Sequence, residues 1–285
     1  MTRLLAVPNV SEGRDAGAIG QLAEAFDGEL LDVHSDPDHN RSVFTLAGSP
    51  GKVTDAVLGG AEAAIRLVDL NRHQGIHPRV GAIDVAPIVF TRPEDRGAAC
   101  AEALLTADRL GHELKLPVFL YGMLSPAGHT RADLRRGGPR RLAERLEAGE
   151  LRPDFGPGRL HPTAGAVLVA ARPPLVAFNV ELAAPATRTD AQRIAAAIRE
   201  GGPEGHPGLR AIGLWLPARD CAQVSLNLED HRRTRLADVI AAIGRHATPV
   251  RAELVGLAPA VAFEDFPEEL PVANLRYLED ALGDG

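Results

Sequence analysis

Cysteine is scarce in this chain of 285 residues: there are two, Cys100 and Cys221, far apart in sequence. They supply neither a disulfide framework nor a paired metal-ligand motif, which fits a reducing, cytoplasmic setting. Aromatic residues make up only 4% of the chain, so a core must be built from Ala, Leu, Val and Ile within a hydrophobic total of 45%. No apolar run approaches the ~20 residues of a membrane-spanning helix. The short apolar stretch after Arg3 stops at Pro8, too early for a secretory leader. A block of like charge is missing too. With a formal net charge of −7, the chain lacks the positive field that nonspecific nucleic-acid or anionic-membrane binding requires. Neither a Gly-x-x-x-x-Gly-Lys-Ser/Thr loop nor a strand-linked Gly-x-Gly-x-x-Gly turn occurs, so nothing supports a nucleotide site.

What is present reads as alternating strands and helices. Residues 3–7 form a strand stopped by Pro8. Ser11 and Asp15 offer caps to a helix running to about Phe26, and Gly28 ends it. Strands follow at 29–33 and 41–47, then a helix over 53–70 with Val53, Val57, Ala61, Ile65 and Val68 at helical spacing, then a buried strand at 81–89. The order β-α-β-β-α-β is the split arrangement of ferredoxin-like folds. A region of different character comes next: a helix over 93–114, a short strand at 117–121, an arginine-rich stretch at 131–145, a rigid loop at 153–158 and an apolar run at 166–170. After Pro173-Pro174 the first order returns, with strands at 175–182, 209–216, 222–228 and 250–255 and helices at 187–199 and 234–243. The expected fold is α+β: two ferredoxin-like subdomains, residues 1–173 and 174–285, with a ligand cleft between them. The polar tail from Phe266 is expected to pack loosely.

Chemistry concentrates in two places. Residues 71–85 set His73, His77, Arg72 and Arg79 around a turn-forming Gly75 and Pro78, directly before a strand. A proton-transfer group beside an anion-binding group suits acid–base work on an anionic substrate. Upstream, Asp32, His34, Asp36, Asp38, His39, Asn40 and Arg41 form a second cluster; the pair suggests one site built from two loops. Each has a plainer explanation. A loop histidine is most often solvated or hydrogen-bonded, and Asp-Pro-Asp is ordinary turn chemistry. His73 and His77 have the spacing of a helical metal pair, but Gly75 and Pro78 oppose a helix and no Glu lies between them, so the metal reading is the weaker one. Arg41 at the mouth of a strand is placed to grip a carboxylate bidentately. Asn9 and Ser11 read as helix-start residues or as ligand contacts. The six arginines at 131, 135, 136, 140, 141 and 145 read either as a solvated helix face or as a dock for a polyanionic tail.

Taken in order, Val-Pro-Asn-Val-Ser-Glu-Gly-Arg (7–14), Leu-Leu-Asp-Val (30–33), Asn40-Arg41, His73-x-Gly75-x-His77-Pro78-Arg79-x-Gly81-Ala82-x-Asp84-Val85, Asp154-Phe155-Gly156-Pro157, Ala177-Phe178-Asn179 and Gln223-Val224-Ser225-x-Asn227 resemble glutamate formiminotransferase over nearly the whole chain. The resemblance implies transfer of a formimino group from N-formimino-glutamate to N5 of tetrahydrofolate, the acceptor co-substrate, in histidine breakdown, by a metal-free homodimer. It puts the catalytic imidazole on His77 and the folate segment on Gly156, Pro157, Gly158, Arg159, Leu160, His161, Pro162, Thr163, Ala164 and Gly165. Arg41 and Arg79 are then the clamps for the glutamate carboxylates, and Asp32 and Asp36 candidates to stabilise the amidinium. Asn40, His34 and His39 complete the substrate-binding set. Two positions depart from the family pattern: Ala164 stands where Trp is usual, and Glu181 where Asn is. Other readings are a relative that binds folate with little activity, one that takes another formimino or formyl donor, and a metal-dependent amidohydrolase using His34, His39 and the His73/His77 pair.

Overall fold

The computed structural model describes residues 2–283. The chain divides into two compact units, one ending at Pro173 and the other starting at Pro174. In the first unit the elements are β1 (Leu4–Ala6), β2 (Asn9–Val10), α1 (Ala16–Ala25), β3 (Glu29–Asp36), β4 (Arg41–Gly48), α2 (Lys52–Leu67), β5 (Ile83–Val89), α3 (Arg96–His112), β6 (Val118–Leu120), α4 (Arg131–Arg135), α5 (Gly138–Glu147) and β7 (Val167–Arg172). β1 and β2 are one strand interrupted at Val7-Pro8; both lie between β4 and β5 and run antiparallel to them. β3 closes the β4 edge. Beyond β5 the sheet continues with β7 and then β6, both parallel. The apolar run at 166–170 is therefore a central strand, its continuous apolar character reflecting burial on both faces.

Helix α1 starts at Asp15, whose carboxylate accepts the N–H groups of Gly17 and Ala18. Ser11 is not a cap: its hydroxyl donates to the Gly81 carbonyl at 2.7 Å. Helix α2 starts at Gly51, which has no side chain to offer, and the cap comes from elsewhere. Glu102 on α3 accepts the N–H of Gly51 at 2.8 Å, the N–H of Thr54 at 3.1 Å and the Thr54 hydroxyl at 2.6 Å. A buried carboxylate thus meets the positive end of a helix and fills its open donors. Residues of α1, α2 and α3 pack with Phe26, Phe44, Leu46 and Val169 in the main core. On the other side, Leu134 of α4 and Leu142 of α5 join Val85, Phe119 and Leu168 in a smaller one.

In the second unit β8 (Val176–Leu182), α6 (Arg188–Ile198), β9 (Leu209–Leu216), β10 (Cys221–Leu228), α7 (Leu236–Gly244) and β11 (Pro249–Leu254) are followed by β12 (Val272–Ala273) and α8 (Leu278–Leu282). The sheet order is β12-β11-β8-β10-β9, antiparallel except for the β11–β12 pair. Thr187 and Asp190 form a reciprocal capping box at the start of α6. The tail differs from the loose packing its polarity suggests. β12 adds a strand to the sheet, Leu270 and Leu278 are buried, and Phe266 lies against Phe178 with ring centroids 5.8 Å apart. A few apolar side chains at the right intervals suffice to dock it; Asp284 and Gly285 lie outside the described residues.

Candidate active site

The two polar clusters of the sequence meet. β3 ends at Asp36 and β4 begins at Arg41; in the turn between them Asn40 takes a left-handed conformation at φ 49°, tolerable for an Asn. Asp36 accepts the His39 N–H at 2.8 Å. The loop joining α2 to β5 lies on this turn. Asn40 donates to the Gln74 carbonyl at 3.0 Å, and the His73 Nε2–H donates to the Asn40 carbonyl at 2.9 Å. A Cβ on Gly75 would come within 2.4 Å of the His39 carbonyl, so the approach needs a glycine. Arg79 closes the loop on itself: Nη1 donates to the Gly75 carbonyl at 3.1 Å and Nη2 to the His73 carbonyl at 2.8 Å.

Under this loop lies Asp84, with no exposed surface. One oxygen accepts the Val80 N–H at 2.7 Å; the other accepts Arg41 Nη1 at 2.7 Å and, from α4, Arg135 Nη2. Arg41 Nε donates to Asn9 at 3.0 Å, which assigns Asn9 a positioning contact. Two guanidiniums on one carboxylate hold Asp84 below the usual carboxylate range against the opposing effect of burial. Arg41 drops to about 10, because burial and the neighbouring Arg135 and Arg131 outweigh the attraction of Asp84.

His77 stands half-buried beside this group. Its ring lies 5.7 Å from that of buried His39. Its Nδ1 is 2.8 Å from the Pro78 carbonyl; a carbonyl only accepts, so Nδ1 carries the hydrogen and Nε2 keeps its lone pair. Loss of hydration, then the charges of Arg41, Arg135 and His39, push its pKa well below the ordinary histidine value. The imidazole is neutral at neutral pH, with a basic nitrogen available.

Asp32, His34 and Asp36 are buried and alternate along β3, with Asp36 opposite Arg41 in the β3–β4 register. Val33, between Asp32 and His34, packs with the helix-side core, so the polar residues line the opposite face together with Arg41. The glycine-rich segment 156–165 abuts the His77 loop at its far end. Ala82 donates to the Ala164 carbonyl at 2.9 Å, Ala166 to Val80 at 3.0 Å, and Leu70 to Thr163 at 2.8 Å. His161 and Gly165 exchange backbone hydrogen bonds, and His161 Nδ1 accepts the Ala164 N–H at 3.0 Å. Ala164 itself is buried in the main core, so its methyl group serves packing. Glu181 is occupied by Arg219 at 2.5 Å and Arg251 at 3.5 Å. Among the described residues no cluster of His, Cys, Asp or Glu is disposed to hold a metal ion.

In the sequence Asp84 is one residue of a motif with no role of its own, and Arg135 is one member of an arginine run. Nothing local marks them as partners: 51 residues separate them. The run is not one solvated face either. It is broken at Gly137, and Arg136, Arg140 and Arg141 pair at the surface with Asp133, Glu144 and Glu150, while Arg131 lies over the Tyr121 ring.

A neutral imidazole fixed beside buried guanidiniums has the chemistry of an acid–base site for an anionic substrate. The chain belongs to the formiminotransferase family: the family model for the N-terminal subdomain of the formiminotransferase domain matches residues 3–172, and that for the formiminotransferase domain matches residues 177–266. It is 39% identical over 277 residues to formimidoyltransferase-cyclodeaminase of Sus scrofa, covering 91% of this chain and 50% of that one. It is 36% identical to glutamate formimidoyltransferase of Streptococcus pyogenes serotype M1, covering 97% and 96% of the two chains. To the protein of that name from Thermoplasma acidophilum it is 33% identical, covering 93% and 91%. The chain thus spans about half the length of the animal relatives it matches.

Proposed function

We propose that this chain is a glutamate formimidoyltransferase, moving the formimino group of N-formimino-L-glutamate to N5 of tetrahydrofolate with His77 as the general acid–base group. The observation that carries this reading is the His77 imidazole, oriented by the Pro78 carbonyl and kept neutral beside Arg41 and Arg135. The names of the bacterial and archaeal relatives support the choice of substrate. In the reaction the folate N5 amine attacks the amidine carbon. His77 Nε2 takes the proton from that nitrogen as the C–N5 bond forms. The tetrahedral intermediate then collapses: the bond from carbon to the glutamate nitrogen breaks, and the imidazolium returns the proton to the leaving amine. Burial beside positive charge makes the imidazolium a strong acid, which suits the second step. Asp32 or Asp36 stabilises the amidinium, Arg41 holds a glutamate carboxylate, and residues 156–165 hold the folate. We expect a homodimer working in the cytoplasm.

The test offers N-formimino-glutamate and N-formyl-glutamate separately, each with tetrahydrofolate, in the presence and absence of a chelator. Transfer from the formimino donor that is insensitive to the chelator is the expected result. Tight folate binding without transfer from either donor would leave a binding protein, and activity abolished by the chelator and restored by a metal would favour an amidohydrolase.

A further inference from the structure

Residues 68–82, between α2 and β5, carry His77 in a loop with no helix or strand of its own. A loop of that length keeps one course only through contacts with other segments. Arg79 ties the loop to itself. Its hydrogen bonds to the β3–β4 turn converge on Asn40, with one longer bond from the Ile76 N–H to the Asp38 carbonyl at 3.4 Å. The buried Asn40 side chain bridges two segments: Oδ1 accepts the Gly13 N–H at 2.9 Å, and Nδ2 donates to the Gln74 carbonyl at 3.0 Å. Its backbone carbonyl accepts a third bond, from His73 Nε2–H at 2.9 Å. His73 Nδ1 is buried without a hydrogen-bond partner, so among the described residues the ring makes this one hydrogen bond. The three segments are also packed closely. A Cβ on Gly13 would come within 2.4 Å of the Asp36 carbonyl, and one on Gly75 within 3.0 Å of the Asn40 Cβ. Asn40 holds φ 49°, a region that Asn enters more easily than most residues.

We propose that Asn40 and His73 are positioning residues: together they lock the loop between β2 and α1, the β3–β4 turn and the 68–82 loop, and so hold His77 beside Arg41 and His39. This replaces the substrate contact that the family resemblance implies for Asn40, whose amide is engaged by protein at both ends. His39 and Arg41 flank Asn40 in the chain, so fixing the Asn40 peptide fixes the roots of both side chains. On the other side, His73 and Gln74 lie within one short stretch of His77. The latch thus joins the imidazole to the guanidinium over the shortest lengths of chain on either side. Its effect on turnover rests on the transferase reading; its effect on the placement of the His77 ring does not.

The experiment uses the full chain with its histidines labelled at Cε1. The His77 resonance, assigned from His77→Ala, is titrated by NMR without substrate, and kcat and donor KM come from the transfer assay. Asn40→Gly removes both side-chain bonds and keeps the positive φ at no steric cost. His73→Leu removes the bond to the Asn40 carbonyl, and His73→Gln returns an N–H donor. In Asn40→Gly and His73→Leu the imidazole is no longer held against Arg41, Arg135 and His39 and gains water. Its pKa should then rise from its depressed value toward the ordinary histidine value. Turnover should fall by about 10–100-fold, since a displacement near 1 Å can cost about 10²-fold, with donor KM little changed. His73→Gln should restore most of both. Parental titration of His77 in both Asn40→Gly and His73→Leu would overturn the proposal even if thermal stability fell, because a merely structural role lowers stability without moving the ring in the folded protein. A raised donor KM with unchanged kcat in Asn40→Gly would overturn it too and return Asn40 to the substrate. A shifted His77 titration in a protein that transfers from no donor would uphold the latch and refute the transferase reading alone.

Discussion

At the scale of single residues the site is governed by electrostatics. His77 combines a tautomer assigned by the adjacent Pro78 carbonyl with a pKa depressed by burial and by Arg41, Arg135 and His39, which are distant in sequence. Replacing it with Ala should lower turnover by roughly 10²–10⁴-fold, the range for positioned proton transfer, with folate affinity little changed; near-normal turnover would dismiss the role. The pH profile follows from the same shift. The base stays unprotonated to pH values below the ordinary histidine range of about 6.5, so the acidic limb of kcat/KM should fall below that value. A limb near 7 or above would contradict it. Stability carries the matching sign. Unfolded, His77 takes up a proton near its ordinary pKa; folded, it does not until lower pH. The unfolded state therefore binds more protons in the window between the two values, and stability falls as pH falls through it. Thermal unfolding followed from pH 7 downward should show this decline, reduced in His77→Ala.

At the scale of elements, contacts between segments matter more than the propensity of any one. Helix α2 has no cap of its own and borrows the Glu102 carboxylate from α3. Glu102→Ala should cost about 1–3 kcal/mol, the penalty for leaving buried donors unfilled, measurable by urea unfolding; a loss well under that would mean water replaces the cap. The joint between the His77 loop and the glycine-rich segment depends on Gly81, where a Cβ would meet the Ala166 carbonyl at 1.9 Å. Gly81→Ala should destabilise by about 1–3 kcal/mol through forced backbone displacement and reduce turnover with it. An unchanged urea midpoint would show that the joint yields.

At the scale of the whole molecule, each unit has a core of its own: the main and smaller clusters in the first, and one built on Phe178, Val224, Ile194 and Leu254 in the second. Phe178→Ala, deleting a fully buried ring that touches Phe263 and Phe266, should cost about 3–5 kcal/mol. Hydrogen exchange should place that loss in residues 174–283 while β4, β5 and β7 keep their protection; equal loss in both units would show that they unfold together. The sequence by itself determined the order of the longer strands and helices. Alternation along 41–47, helical spacing over 53–70 and the Thr187–Asp190 cap are local signals, set by side chains a few residues apart. It also singled out His77 and Arg41 as candidates for chemistry, because their residue types and neighbours are unusual. Only the tertiary structure decided which groups meet. That Glu102 caps α2, that the 166–170 run is an inner strand, that the tail docks and that Arg135 shares Asp84 with Arg41 all depend on chain segments brought together across tens of residues. Such pairings leave no periodicity or motif, because their energy comes from burial and charge that exist only once the sheet and its flanking helices have formed.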